Sequence, residues 1–534
     1  MDLKILKSFF LFAFSFTTGI LTAPSIIPSP LFLCIKNVCT KYFSEIGFGI
    51  FKITFFGQMY KLSIPLLCLP MKWFGNDPVP HKIIASSFYG IFSLTLFLFL
   101  KKLTDDENLS FISSLFTILL PPFVFYSWPV LDYTNIIGAW LVIVTSILFF
   151  VEKRGYAFYL LLIIIAFLSA FLSEQSRLYT LPVILIMFFV YKERRRENIP
   201  FLFINAFFTI LSIILHMKYA ERHGAEFKGI KGLSLSIIYY THFVFCYFIY
   251  LYGFIGVLLF SSSSIRFFKR NQTFLFLTFF LIGFILILSL PLYPYAELGF
   301  NFFFVTDGIP YQFFISSIVI ILLSLFTLSK TPHNWEKFSI SSILICSSIL
   351  LFITGIYPRI RTDPSSRHLL TILPFFSTII FKNAFDFMKE KRMKIFSILL
   401  ISGFFLRNFF LVLPLVVMGR GIAHLAYDLH YFFTKEERRT KDGLCIFYLN
   451  PNYYIIDPKD IISNPYKSKI FSVNRDLFLM DFIRKNECEG RKVFGILWRF
   501  RPVENPQYQS PGDSFFLNIM VFSNSGDDQL NIAE

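Results

Sequence analysis

Several charged side chains stand in stretches of this chain that are otherwise apolar or aromatic, and their types suit phosphate chemistry. Glu45, Lys61 and Asp77 fall in one stretch. Asp132 lies between Tyr126, Trp128 and Tyr133 in FYSWPVLDYTN, and Glu174 and Arg177 lie in FLSEQSRLYTLP. Arg359, Arg361, Asp363, Arg367 and His368 lie in TGIYPRIRTDPSSRHLLTILP. Arginine grips phosphate oxygens bidentately. A carboxylate beside it can act as general base on an acceptor hydroxyl. Cations facing a leaving phosphate stabilise its developing charge.

Three of these carboxylates are candidates for the base: Glu45, Asp132 and Glu174. Asp132 ranks first because no Lys or Arg occurs between Lys102 and Lys153, and its aromatic neighbours would strip water from it. Glu45 ranks second, beside flexible Gly47 and Gly49. Arg177 follows Glu174 by three residues, a spacing that pairs them if the turn is helical. Plainer roles are open to each residue. Lys61 could lie at lipid headgroups, Asp132 could cap the following helix, and Arg367 and His368 could anchor at the interface. Glu45 could sit on a solvated face.

The elements that must position these groups are membrane spans. The chain has 534 residues, 55% of them hydrophobic and only 16% charged, with 74 Phe and a mean hydropathy of +0.62. Soluble domains average about 25% charged residues. The composition therefore excludes a soluble multidomain protein, a disordered chain, a collagen, a coiled coil and a small disulfide scaffold. The first apolar run, after Lys4 and Lys7, reads as an uncleaved helix rather than a signal peptide, because Pro24 follows the only small-residue cleavage site. Residues 24–81 are broken by Pro and Gly, with Lys36, Lys41, Lys52, Lys61 and Lys72 along them. They read as amphipathic helices on the membrane surface, with one extra span over 46–71 as the alternative. Apolar runs over 82–100, 109–126, 134–151, 156–173, 178–191, 200–217, 235–260, 272–292, 311–329, 338–357, 368–386 and 395–418 bring the total to about thirteen spans.

Basic residues orient these spans. With the N-terminus inside, Lys101-Lys102, Lys153-Arg154, Lys192 with Arg194-Arg195-Arg196, Arg266 with Lys269-Arg270, and Lys389 with Lys391-Arg392 all fall in the cytoplasm. Loops 127–133 and 293–310 carry no Lys or Arg. The net charge of +16 thus reflects topology and not nucleic-acid binding. An odd span count sends residues 420–534 outside. Apolar runs 444–449, 493–498 and 515–522 there read as strands, with a helix around Asp481, Arg484 and Lys485. The expected architecture is an all-α polytopic membrane protein over 1–419, followed by a small extracytoplasmic α/β domain over 420–534. Cys34 with Cys39, and Cys445 with Cys488, are possible disulfides, whereas Cys246 and Cys346 read as packing residues. No Cys/His spacing forms a zinc site, and no cofactor is expected, the metal requirement being left open by the sequence.

Part of this pattern resembles a known superfamily. FFGQMYKLSIPLLCLPMKWFG, with Tyr60, Lys61, Pro65, Leu66, Leu67, Pro70 and Gly75, is similar to a segment of the GT-C membrane glycosyltransferases. The Asp132 loop, the Glu174–Pro182 turn and the Arg367–Pro374 element resemble that superfamily too, closest to its protein-mannosyltransferase-like and aminoarabinose-transferase-like branches. The resemblance covers roughly residues 1–419. It implies transfer of a sugar from a polyprenyl phosphate or pyrophosphate carrier to a glycan, lipid or protein acceptor on the outer face of the inner membrane. It also implies Lys61, Arg177 and Arg367 near the carrier phosphate and Asp132 near the acceptor. One departure is clear: the family keeps its catalytic Asp early in the first outer loop, yet residues 23–44 hold no acid. A non-catalytic scaffold that binds a lipid-linked glycan or a partner, and an envelope-polysaccharide polymerase or ligase, are the competing readings.

Overall fold

The computed structural model describes residues 3–22, 73–74, 78–127, 134–222, 333–356, 369–388, 432–440 and 443–449, helical residues within 252–260 and 398–412, and the remaining strands of the tail with a few flanking positions. The described part is mostly helical. Helices run over Leu3–Thr22 (α1), Pro78–Thr104 (α2), Glu107–Ile118 (α3), Pro121–Tyr126 (α4), Thr134–Phe149 (α5), Tyr156–Phe171 (α6), Glu174–Val190 (α7), Arg195–Arg222 (α8), Asn334–Ile356 (α9) and Leu373–Met388 (α10). Three helical stretches, Ile5–Thr22, Val79–Thr104 and Lys192–Leu215, are long and apolar enough to cross a membrane. The expected spans over 272–292 and 311–329, and most of the surface helices expected over 24–81, lie outside the described residues; residues 78–81 belong to α2 instead.

The distribution of side chains on α8 identifies its solvent. Asn198, Phe201, Asn205, Thr209 and Ser212 are buried, whereas Phe203, Phe207, Ile210 and Ile214 are exposed. In water that arrangement would be inside out. In lipid it is the expected one, since polar groups must find partners within the bundle. The same logic holds for α6, which exposes Leu160, Leu161, Ile163 and Ile164.

Close backbone approach joins α1 to α2. A Cβ on Gly19 would meet Ser86 Oγ at 2.6 Å, and one on Gly90 would meet the Phe12 ring at 2.8 Å. The Ser93 hydroxyl donates to the Leu11 carbonyl at 3.1 Å. Small residues that admit a neighbouring backbone are the usual device where no water drives helices together. Asp106 then caps α3, accepting from the Asn108 and Leu109 amides at 2.9 and 3.0 Å. The span expected over 109–126 is not one helix. It ends at Ile118 and resumes as α4 at Pro121, because Pro121 and Pro122 have no N–H to continue the ladder. At the centre, the Phe116 ring lies 4.9 Å from Phe381, 5.6 Å from Phe405 and 5.7 Å from Tyr252.

Two groups of basic residues are tied down by ion pairs and hydrogen bonds among the described residues, one around Glu107 and one at the α5–α6 and α7–α8 turns. Lys7 of α1 pairs with Glu107 at 3.0 Å, and Lys101 of α2 pairs with the same carboxylate. The α5–α6 and α7–α8 turns latch onto each other. Arg154 donates to the Phe149 carbonyl at 3.2 Å and reaches across to the Glu197 carbonyl and to Asn198 Oδ1, the latter at 2.7 Å. Arg194 returns the contact, donating to the Phe150 carbonyl at 3.1 Å and to Glu152 at 3.0 Å. Arg195 donates to the Phe188 and Phe189 carbonyls at 3.0 and 3.1 Å. Of these acceptors, Phe149, Phe188 and Phe189 are in the last turns of α5 and α7, where carbonyls have no partner within their own helices.

In the tail, a five-stranded sheet has the order β2-β1-β3-β5-β4, built from Leu444–Leu449 (β1), Lys469–Val473 (β2), Lys492–Arg499 (β3), Tyr508–Gln509 (β4) and Phe516–Phe522 (β5). β1 is parallel to both β2 and β3, and β5 is antiparallel to β3 and β4. Cys445 and Cys488 form a disulfide across 43 residues. The helix around Asp481, and Cys34 with Cys39, lie outside the described residues. A helix over residues 432–439 packs Phe432 and Phe433 on the Phe494 ring, at 5.8 and 5.4 Å. Glu436 in that helix accepts from Lys492 at 2.7 Å and Arg439 at 2.9 Å. Burial alone would raise the Glu436 carboxyl, but the Lys492 and Arg439 hydrogen bonds outweigh it and hold the group below its ordinary value of 4.5. Its folded value lies below the unfolded one, so its stabilisation is complete above about pH 4.5 and is lost as pH falls through the depressed value. Acid unfolding of the tail, followed by circular dichroism, should therefore flatten in Glu436→Gln; an unchanged curve would show that the pair contributes nothing.

Candidate functional site

The first turn of α7 is where the structure holds a predicted site residue in full. Ser173 is extended (φ −136°, ψ 145°), and the helix starts at Glu174. The sequence places Glu174–Pro182 in a loop and starts the helix at 178. Instead the connection from α6 is only Leu172–Ser173, and Arg177 sits one turn inside α7. The reason is local: the Arg177 amide and the Ser176 hydroxyl both donate to the Ser173 carbonyl at 3.1 Å, which closes the first turn early.

Arg177 is only 5% exposed. Its Nε donates to the Ala170 carbonyl at 3.0 Å, and the Ser212 hydroxyl of α8 donates to the same oxygen at 2.7 Å. Ala170 is in the last turn of α6, where carbonyls lack helical partners. One carbonyl thus ties α6, α7 and α8 together at the end opposite the α5–α6 and α7–α8 turns, roughly 20 Å from the latter by helix rise.

The beginning of α5 closes on the same turn. A Cβ on Gly138 would meet Ser173 Cβ at 2.8 Å and Gln175 Cβ at 2.9 Å. Thr134 and Asn135 at the start of α5 are buried, as are Ser173, Gln175, Ser176 and Thr180. Gly138 therefore sets how closely the segment following Asp132 approaches Arg177. Gly→Ala in a helix ordinarily stabilises by about 1 kcal/mol. Here overpacking should win by about 1–2 kcal/mol, because besides the nearby Ser173 hydroxyl two of the obstructing atoms are Cβ atoms anchored directly to the backbone. Gly138→Ala should lower the thermal unfolding midpoint, while Gly403→Ala, with open space around it, should not.

A guanidinium in the first turn of a helix faces the positive end of the macrodipole. The Ala170 carbonyl, at the negative end of α6, offsets part of that cost. A phosphate oxygen placed there would gain from both the guanidinium and the dipole.

Of the other sequence candidates, Glu174 is the first residue of α7, and only its backbone is described. Glu45, Tyr60, Lys61, Asp132, Arg361, Arg367 and His368 lie outside the described residues. The described residues adjoining two of these places are buried: Thr134 after Asp132, and Leu369 after His368. Ser212 and Ala170 were missed by sequence reasoning. The signal for Ser212 was present, since Asn198, Asn205, Thr209 and Ser212 recur at helical spacing through an apolar span.

A buried carboxylate elsewhere in the bundle serves packing. Glu336, in the first turn of α9, pairs with Lys382 at 2.9 Å, and Lys382 also holds Asp386 at 3.1 Å. Cys346 is buried in the core, as a packing residue should be. Among the described residues, no three His, Cys, Asp or Glu side chains come together to hold a metal ion. No family profile matches the chain, and no curated protein matches it.

Proposed function

We propose that this chain is a multi-pass glycosyltransferase of the GT-C type. It takes a sugar from a polyprenyl-phosphate carrier and passes it to a glycan, lipid or protein acceptor at the outer face of the inner membrane. The observation that carries this reading is the buried Arg177. It stands at the end of α7 away from the basic α7–α8 turn and beside the start of the helix that follows Asp132. In this reading Arg177, with Tyr60, Lys61, Arg361, Arg367 and His368, holds the carrier phosphate. Asp132, or failing it Glu45, takes the proton from the acceptor hydroxyl, and Glu174 helps to set the charge at Arg177.

The topology is part of the proposal: about thirteen spans, the N-terminus in the cytoplasm and residues 420–534 outside as an α/β domain. Two features support it. Two of the basic turns, α5–α6 and α7–α8, meet at one end of their helices, as turns on one cytoplasmic face would. The Cys445–Cys488 disulfide belongs in an oxidising compartment.

The test is transfer of a radiolabelled sugar from a polyprenyl-phosphate donor by the purified protein in nanodiscs. Asp132→Asn should lower turnover by a hundredfold or more, the scale of a lost general base. Full activity in Asp132→Asn with none in Glu45→Gln would move the base to Glu45. Full activity in both would remove the catalytic assignment.

A second reading has one observation in its favour. Because residues 23–44 hold no acid, the chain could be a scaffold that binds a lipid-linked glycan without turning it over. Carrier binding without transfer in the wild-type protein would select that reading.

A further inference from the structure

We propose that the latched α5–α6 and α7–α8 turns form a binding surface for the headgroup of an anionic phospholipid, whatever reaction the chain performs. These turns and the first residues of α8 carry six cations against three carboxylates, Glu152, Glu193 and Glu197. Three of the cations are committed. Arg154, Arg194 and Arg195 donate to backbone carbonyls, to Asn198 and to Glu152, and so fix the turns. Lys153, Lys192 and Arg196 remain. All three are exposed, and among the described residues none of their side chains has a hydrogen bond or ion pair.

The latch brings these three close. Arg154 reaches the Glu197 carbonyl and Arg194 reaches Glu152, so Lys153 and Arg196 are each next in sequence to residues that touch across the turns. Lys192 opens the short turn that ends at Arg194. Apolar neighbours set the depth of this charge. Tyr156, at the start of α6, is 88% exposed, and Phe189, Ile199 and Phe203 are exposed on α7 and α8 beside the basic turn. Exposed apolar side chains of spanning helices meet acyl chains, and a Tyr with cations just beyond them lies at the headgroups. Phosphatidylcholine cancels its own phosphate charge, whereas an anionic lipid does not, so a surplus of positive charge selects the anionic one. The group around Glu107 is the contrast. Lys7 and Lys101 both pair with that carboxylate, and Asp105 and Asp106 precede it, which leaves little charge there to hold a lipid.

The probes are phosphatidylglycerol and phosphatidylcholine, each with a photoactivatable diazirine on its headgroup. Either is added in trace amount to full-length protein in phosphatidylcholine nanodiscs, and labelled chymotryptic peptides are quantified by mass spectrometry. At low salt, the peptides holding Lys153 and Lys192–Arg196 should take up about tenfold more of the glycerol lipid than of the choline lipid. The peptide around Glu107 should show no such preference, and high salt should remove it from the latch peptides. Lys153→Gln/Lys192→Gln/Arg196→Gln should bring the ratio close to one, with an unfolding midpoint near wild type, because none of the three side chains holds the fold. Lys153→Arg/Lys192→Arg should keep the preference. Lys435→Gln/Arg438→Gln, which removes exposed cations of the tail, should leave it unchanged. Should the triple variant fail to fold, Lys192→Gln and Arg196→Gln taken singly should each lower the ratio severalfold.

Equal labelling of the latch peptides by the two lipids, the same preference at the Glu107 peptide, or a ratio that survives loss of the three cations would overturn the proposal. Millimolar glycerol phosphate should not compete, since it lacks the acyl chains that meet Phe189 and Ile199. Its displacing the lipid would mark a site for soluble phosphate and would overturn the lipid assignment.

Discussion

Arg177→Ala is expected to raise the KM for the lipid-linked donor tenfold or more and to lower kcat as well. The guanidinium would touch the phosphate both before and during departure of the sugar, so its loss affects ground state and transition state together. A charge-assisted hydrogen bond contributes about 1.5–3 kcal/mol, which sets the scale for each. Arg177→Lys should not rescue. Lysine keeps the charge, but it cannot donate to the Ala170 carbonyl and present a two-pronged edge at the same time. Steady-state kinetics over a donor series separates the outcomes. A variant with unchanged KM and kcat would reduce Arg177 to a strut between α6 and α7.

Replacing Cys445 and Cys488 by serine should cost the tail about 4 kcal/mol, from the loop-closure relation applied to a 43-residue separation. That is a large share of the stability of a domain of this size. The bridge joins the start of β1 to the turn before β3, and so pins two central parallel strands whose connections are long. Denaturant unfolding of oxidised and serine-substituted protein measures the difference; equal midpoints would refute the argument. A gel-shift maleimide applied to whole cells adds a compartment test. Cys445 and Cys488 should react only after reduction under denaturing conditions. Ready reaction without reductant would place the tail in a reducing compartment, contrary to the proposed topology.

Some of the fold was legible because it depends on local pattern. Strand runs 444–449, 493–498 and 515–522 are apolar and bounded by Pro, Asn, Asp and Gly, and β1, β3 and β5 occupy them to within a residue. β2 and β4 were not anticipated. KIFSV is short and YQ shorter, and each forms only because a longer strand offers it a ladder. The break between α3 and α4 was written in Pro121-Pro122, but a hydropathy window averages over it. The early start of α7 depends on which groups the Ser173 carbonyl accepts, and that is a three-dimensional fact. Arg177 was singled out by its type and setting, and it lies buried in the first turn of α7. Ser212 was not, because a hydroxyl in an apolar run most often bonds its own helix, as Ser146 and Thr145 do.

The basic turns were read from sequence as topological markers alone, yet Arg154, Arg194 and Arg195 are also hydrogen-bond donors with fixed addresses. The crossed contacts between Arg154 and the start of α8, and between Arg194 and the end of α5, have a consequence for biogenesis. α5–α6 and α7–α8 would enter the bilayer as two successive helical hairpins. The Arg154 and Arg194 contacts can close only if both hairpins have delivered their turns to the same leaflet. A hairpin inserted upside down would strand a guanidinium on each side of the bilayer and leave the other turn without its donor. The latch therefore closes only when the two turns lie on the same side, so the packing of each hairpin depends on the placement of the other.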